Sequence, residues 1–225
     1  MCRMERAHKS GVVIAIDGPA GAGKSTLGRR LAEALGLPYV NTGLMYRAVA
    51  HRALHDGIDP DDGSALGRLA DTIRFSVGGE PIPSLLIDGL RPDRSLEFPE
   101  VEAVVSRVAR HPEVRAVLRD VQRRLGAAGC VIEGRDIGTV VFPDADLKIF
   151  LSATPSVRAG RRQRERGSGE TVAAVVARRD ALDARTNPLV PAPDATVLDT
   201  TVLSKDEVFE RALGLVRSVV EGERR

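Results

Sequence analysis

Residues 18–25, Gly18-Pro19-Ala20-Gly21-Ala22-Gly23-Lys24-Ser25, satisfy the spacing G-x-x-x-x-G-K-[ST]. They lie between a continuous apolar run, Val12 to Ile16, and a segment with helical periodicity, Lys24 to Leu35. That context is what the motif requires of a phosphate-binding loop. Glycines allow positive φ, so successive N–H groups can turn inward around an anion. The helix that follows aims its positive end at the same point. Lys24 is placed to reach the β- and γ-phosphates of a nucleoside triphosphate, and the Ser25 hydroxyl to ligate Mg²⁺. The loop alone leaves the reaction open, because switches, motors and small-molecule kinases all use it.

The rest of the chain alternates strand and helix. Val12–Ile16 has the pattern of a strand buried on both faces. Leu27, Leu31, Ala34 and Leu35 share a helix face that ends at Gly36. A short strand is expected over Pro38–Val40, and Asn41 and Thr42 look like caps for a helix through Tyr46 to His55. From Asp56 to Arg94 the pattern changes to a turn-rich stretch. Extended segments fall near Ile73–Val77 and Ser84–Asp88, separated by Gly78-Gly79, which predicts a small β-rich insertion. Helices follow over 100–110 and 112–125, the second opened by Pro112. Strands are predicted at Cys130–Ile132, Leu147–Leu151 and Ala195–Asp199. Thr154-Pro155 opens a helix carrying Arg158, Arg161, Arg162, Arg164 and Arg166, and another helix covers about 170–184. Ser204 and Glu207 form a capping box for the last helix. The expectation is an α/β domain with a parallel sheet flanked by helices.

Composition narrows the function. The formal net charge is +2, and aromatic residues make up 3% of the chain with no Trp, which disfavours stacking platforms for nucleic acid. Two cysteines and four scattered histidines give neither a disulfide framework nor a zinc site. The N-terminus has charge without an apolar core, so no secretory signal is expected, and a cytoplasmic protein is. The basic residues are unusual in kind: 29 of 33 are arginine. Arginine is suited to bidentate recognition of phosphate.

Three further clusters carry chemistry. Asn41-Thr42-Gly-Leu-Met-Tyr46-Arg47 places a hydroxyl, a phenol and a guanidinium together, although core packing for Tyr46 and a surface place for Arg47 would fit the pattern too. Glu133-Gly-Arg135-Asp136 follows the third apolar run, where ligands bind in an open parallel sheet; a simple ion pair is the alternative. Arg179 and Asp183 are i,i+4 on a helix, which suits either a salt bridge or a carboxylate that accepts from an exocyclic amino group.

Taken in order, Gly18–Thr26, Asn41–Arg47, Glu133-Gly-Arg-Asp-Ile-Gly-Thr-Val-Val-Phe-Pro143 and Pro188-Leu-Val-Pro-Ala192 with Asp194-Ala195 resemble the bacterial cytidylate kinases. The likeness runs from Val12 to Val220. It implies one P-loop kinase domain over 1–225, with a core of about 11–62 and 126–225. A β-containing substrate-binding insertion would cover about 63–125, and an arginine-rich lid about 158–172. The reaction it implies is transfer of the ATP γ-phosphoryl group to CMP or dCMP with Mg²⁺, by a monomer without nucleic-acid or membrane partners. Lys24, Arg135 and Arg162 would act on the moving group, and Gly18 to Thr26 would bind ATP, with Ser25 at the metal. Thr42, Tyr46, Arg47, Ser106, Arg115, Arg135, Asp136, Arg179, Asp183 and Arg185 would bind the acceptor. Two departures stand out. Relatives carry Arg-Thr where this chain has Leu96-Glu97-Phe98-Pro99 before Glu100-Val101, and the loop from Asp183 to Pro188 is shorter than theirs. Two rivals share the loop. A hydroxyl-directed small-molecule kinase would need a carboxylate base, and a nucleotide switch would need a guanine-recognition motif such as N-K-x-D, which is not found.

Overall fold

A computed structural model describes residues 11–166 and 189–222. The elements in chain order are β1 (Val13–Asp17), α1 (Lys24–Leu35), β2 (Tyr39–Asn41), α2 (Thr42–His55) and α3 (Gly63–Thr72). They continue with β3 (Phe75–Gly78), β4 (Ser84–Ile87), α4 (Pro99–Ala109), α5 (Pro112–Gly126) and β5 (Cys130–Glu133). After a π-helical turn at Ile137–Val141 come β6 (Leu147–Ser152), α6 (Pro155–Arg166), β7 (Thr196–Asp199) and α7 (Lys205–Gly222).

Among the described residues the strands form one sheet in the order β3-β4-β2-β5-β1-β6-β7. Every neighbouring pair is parallel except β3–β4. β1 is central, between β5 and β6, which explains why its five residues are buried throughout. Its side chains alternate between faces. Ile14 and Ile16 pack with Leu27 and Leu31 of α1 and with Val208, Ala212 and Val216 of α7. Val13 and Ala15 pack on the other face with Val40, Ile132, Ile137 and Val141. A further core joins α2 to α5, from Met45 and Val49 through Leu66, Val101, Val105 and Val108 to Leu118.

The predicted α/β sheet is what forms, and both expected caps are present. The Asn41 side chain accepts from Leu44 N, and Ser204 and Glu207 exchange hydrogen bonds at the start of α7. The segment 56–94 differs from the expectation in two ways. Gly63–Thr72 is helical, with Asp62 accepting from Ala65 N as its cap. Asp62-Gly63-Ser64 has turn composition, and that hid the helical spacing of Leu66, Leu69, Ala70 and Ile73. The β3–β4 hairpin is also not a separate small sheet: β4 runs parallel to β2 through the pair Tyr39↔Ser84 and extends the central sheet. The helix predicted at about 170–184 lies outside the described residues. No helix among those described is long and apolar enough to cross a membrane.

Candidate active site

The phosphate loop leaves the carboxyl end of β1 and runs straight into α1. Gly18, Gly21 and Gly23 adopt positive φ, at 143°, 78° and 102°. At Gly18 the need for glycine is absolute in space as well, since a Cβ would stand 2.2 Å from the Leu151 carbonyl oxygen of β6. Gly23 caps α1 without a side-chain hydrogen bond, and the first turn contains no acidic residue. A helix start with this cap and no acidic side chain suits an anion. Lys24 Nζ donates to the Gly18 and Pro19 carbonyls at 2.8 and 2.9 Å, which folds the ammonium back over the loop.

Two arginines of α6 hold this loop from behind. Arg158 Nη1 donates to the Ala20 carbonyl at 3.3 Å, and Arg161 Nη1 to that of Gly21 at 3.5 Å. The buried Thr200 hydroxyl lies 3.1 Å from the Ala22 carbonyl, and Arg161 Nη2 donates to the Thr200 carbonyl at 2.6 Å. Fixing three successive carbonyls sets the peptide planes of the loop. Arg162 lies half-buried on the same helix.

A second set gathers at the carboxyl ends of β2 and β5. The Tyr39 hydroxyl donates to Glu133 Oε1 at 2.6 Å, and Thr42 Oγ1 donates to the Glu133 carbonyl at 2.7 Å. Glu133 is only 2% exposed, and its Oε2 has no hydrogen-bond partner among the described residues. Burial first, and the facing carboxylate second, push the Tyr39 phenol well above its ordinary pKa, with Arg29 and the nearby Ser25 side chain opposing the rise. The ring fits against α1 because Gly28 has no side chain; a Cβ there would meet Tyr39 Cε2 at 2.7 Å.

Beyond β5 the structure brings Tyr46, Arg115 and Asp136 together. Arg115 Nη2 donates to Asp136 Oδ2 at 2.5 Å. Burial raises the Tyr46 phenol to about 12, with Arg115 opposing and Asp136 adding to the rise. Arg47 is no surface helix residue: it is 7% exposed, donates to the Leu96 carbonyl at 2.9 Å, and pairs with the Glu102 carboxylate. Arg135 and Asp136 follow β5 after Gly134, and Ser106 lies half-buried on α4. Arg179, Asp183 and Arg185 lie outside the described residues.

Among the described residues no group of three or more His, Cys, Asp or Glu side chains could cage a metal ion. The donors present are oxygens: the Ser25 hydroxyl and the unpartnered, buried Glu133 Oε2, both beside the Tyr39 phenol. That set suits a hard divalent cation that arrives with phosphates and keeps most of its water.

The sequence profile of the cytidylate kinases matches residues 14–218. A cytidylate kinase of Desulfitobacterium hafniense is 42% identical over 223 residues, covering 95% of this chain and 96% of that protein. One from Acidiphilium cryptum is 46% identical over 219 residues, covering 93% and 97%. One from Mycolicibacterium paratuberculosis is 44% identical, also over 219 residues, covering 92% and 96%. The chain belongs to the cytidylate kinase family.

In this cytidylate kinase family member, sequence reasoning passed over Asp17 and Tyr39, and quoted Glu133 in a motif without giving it a role. The signal that could have found them is an acidic residue closing a buried parallel strand, where ligands bind and where an unpaired charge is costly. It applies to Asp17 at the end of β1 and to Glu133 at the end of β5. Removing the Tyr39 hydroxyl leaves a second oxygen of Glu133 buried without a partner. Tyr39→Phe is therefore expected to lower stability by about 1–3 kcal/mol, measured by urea unfolding. An unchanged midpoint would show that the Tyr39–Glu133 bond contributes nothing.

Proposed function

We propose that this cytidylate kinase transfers the ATP γ-phosphoryl group in line to the phosphate of CMP or dCMP, giving ADP and CDP or dCDP, without a general base. The acceptor phosphate has a second pKa of about 6, so it is mostly dianionic at neutral pH and needs no deprotonation. The task that remains is to bring two polyanions together and neutralise the moving charge. The observation that carries this reading is the phosphate loop with Lys24 on one strand end and the Tyr46–Arg115–Asp136 group beyond the neighbouring strand.

We assign Gly18 to Thr26 to ATP, and Lys24, Arg135 and Arg162 to the moving phosphoryl group. Thr42, Tyr46, Arg47, Ser106, Arg115, Arg135 and Asp136 are assigned to the acceptor, joined by Arg179, Asp183 and Arg185. Mg²⁺ is the cation we assign to Ser25, where it would neutralise phosphate charge. The substrate-binding insertion at about 63–125 and the lid at about 158–172 would close over a core of about 11–62 and 126–225. Arg158 and Arg161 hold the phosphate loop itself. We take the enzyme to act as a cytoplasmic monomer on small nucleotides alone.

The test is ADP release measured in parallel with CMP, dCMP, UMP, AMP and shikimate. Stimulation by the cytidine nucleotides is expected, and stimulation by shikimate alone would overturn the assignment. Asp183→Ala is expected to raise KM for CMP by about 100-fold, in line with the loss of a charge-assisted contact to the base, with KM for ATP little changed. Equal losses for both substrates would remove Asp183 from base recognition.

A further inference from the structure

The Asp17 carboxylate lies between the two halves of this site and belongs to neither. Asp17 is the last residue of β1, and the phosphate loop starts at the next residue. Its side chain is 8% exposed and points across to the neighbouring strand's loop. Oδ1 accepts from Ile137 N at 2.8 Å and Oδ2 from Gly138 N at 2.7 Å. These are the first N–H groups of the π turn that follows Asp136, and a helical turn leaves its first N–H groups without internal partners. The far end of the same turn is held by Arg123, whose Nε and Nη2 donate to the Val141 and Val140 carbonyls, each at 2.9 Å. Ile137 is completely buried in the core beneath. The residue that caps the turn is Asp136, which takes Arg115.

We propose that Asp17 is a positioning residue that ties the Arg135–Asp136 loop to the phosphate loop in a single register, so that donor and acceptor phosphates meet in line. The proposal rests on the nucleotide-kinase function set out above and adds a residue to it. β1 and β5 are adjacent parallel strands, paired as Ile16↔Glu133, and their loops leave the same edge of the sheet side by side. Without a tie the two loops could shift against each other. In-line transfer tolerates little of that, since a displacement of about 1 Å between reacting groups costs on the order of 100-fold in rate. A carboxylate is the side chain for this tie because it accepts two N–H bonds at once from a short, two-bond stem. It is kept despite burial, which raises the Asp17 pKa and is only partly offset by the two N–H groups and by Lys24. A neutral cap that served stability alone would avoid that cost.

The test compares the full-length wild type with Asp17→Asn and Gly138→Ala. Asparagine keeps the shape but offers one acceptor oxygen, so one of the two N–H groups faces an amide NH₂. At Gly138 a Cβ would stand 3.1 Å from Lys148 Cδ and at the edge of ordinary contact, 3.4 Å, from Asp17 Oδ2, so it presses the turn through the Lys148 stem and disturbs the Asp17 contact indirectly and more gently. Three quantities are read for each folded protein: kcat for transfer to CMP, Kd for a non-hydrolysable ATP analogue, and the ratio of ATP hydrolysis to phosphoryl transfer. For Asp17→Asn we expect kcat to fall about 30- to 100-fold with Kd within about threefold. The hydrolysis-to-transfer ratio should rise about tenfold, because water competes better with a misplaced acceptor. Gly138→Ala should move all three in the same direction by less, and it decides the matter if Asp17→Asn does not fold. Wild-type kcat in the folded variants, or hydrolysis and transfer lost in equal proportion, would overturn the positioning role. Failure of the wild type itself to transfer to CMP would overturn the proposed function instead.

Discussion

Lys24→Ala is expected to lower phosphoryl transfer by about 10³-fold or more, the scale on which removing a single charge-stabilising group from such a site acts. The side chain starts α1, and its ammonium sits 2.8 Å from the Gly18 carbonyl. It is thus already held over the loop where β- and γ-phosphates would bind. Its removal takes away the ammonium held over the loop and leaves the backbone N–H groups in place. Binding of ATP should weaken less than turnover. The two hydrogen bonds lost are only partly buried, so the fold should persist, with an unchanged far-ultraviolet circular dichroism spectrum. Lys24→Arg should not restore the rate, because a planar fork cannot replace a compact point charge in a narrow loop. Full activity in Lys24→Ala would remove the loop from the reaction.

Gly18→Ala should produce the largest loss of stability. Two penalties coincide there: a φ of 143° that side chains rarely adopt, and a Cβ position 2.2 Å from the Leu151 carbonyl oxygen. The obstacle is the backbone of β6, which cannot rotate away as a flexible side chain could. A cost of about 3 kcal/mol or more is expected, lowering the thermal midpoint by about 10 °C. Gly23→Ala makes the control. It has a φ of 102°, but nothing lies within 4 Å of its Cβ, so only backbone strain of about 1–2 kcal/mol applies. Equal shifts in the two variants would show that the contact with β6 is relieved by movement of the strand.

Features that depend on local pattern were legible in the sequence. The phosphate loop, β1, α1, the Asn41 cap and the Ser204–Glu207 box each carry their signal within a few residues. Features that depend on which strands become neighbours were not. The β3–β4 hairpin joins the main sheet through a single registered pair with β2, and nothing in residues 73–88 announces that edge. Asp17 meets N–H groups 120 and 121 positions away, and Tyr39 meets Glu133 across 94. Isolated acidic and aromatic residues have no periodicity to mark such bonds. The arginine excess pointed to phosphate but did not separate roles. Arg158 and Arg161 hold the loop's own carbonyls, and Arg47 pairs with Glu102, so several guanidiniums first serve the architecture that presents the site. Arg115 showed its partner only when α5 packed beside the turn after β5.

The most direct test of the central claim follows the phosphoryl group itself. With ATP labelled in its γ-phosphate, the wild type plus CMP should place the label in CDP, and Lys24→Ala should not. Label released only as inorganic phosphate, at a rate that CMP does not change, would contradict transfer between nucleotides at this site.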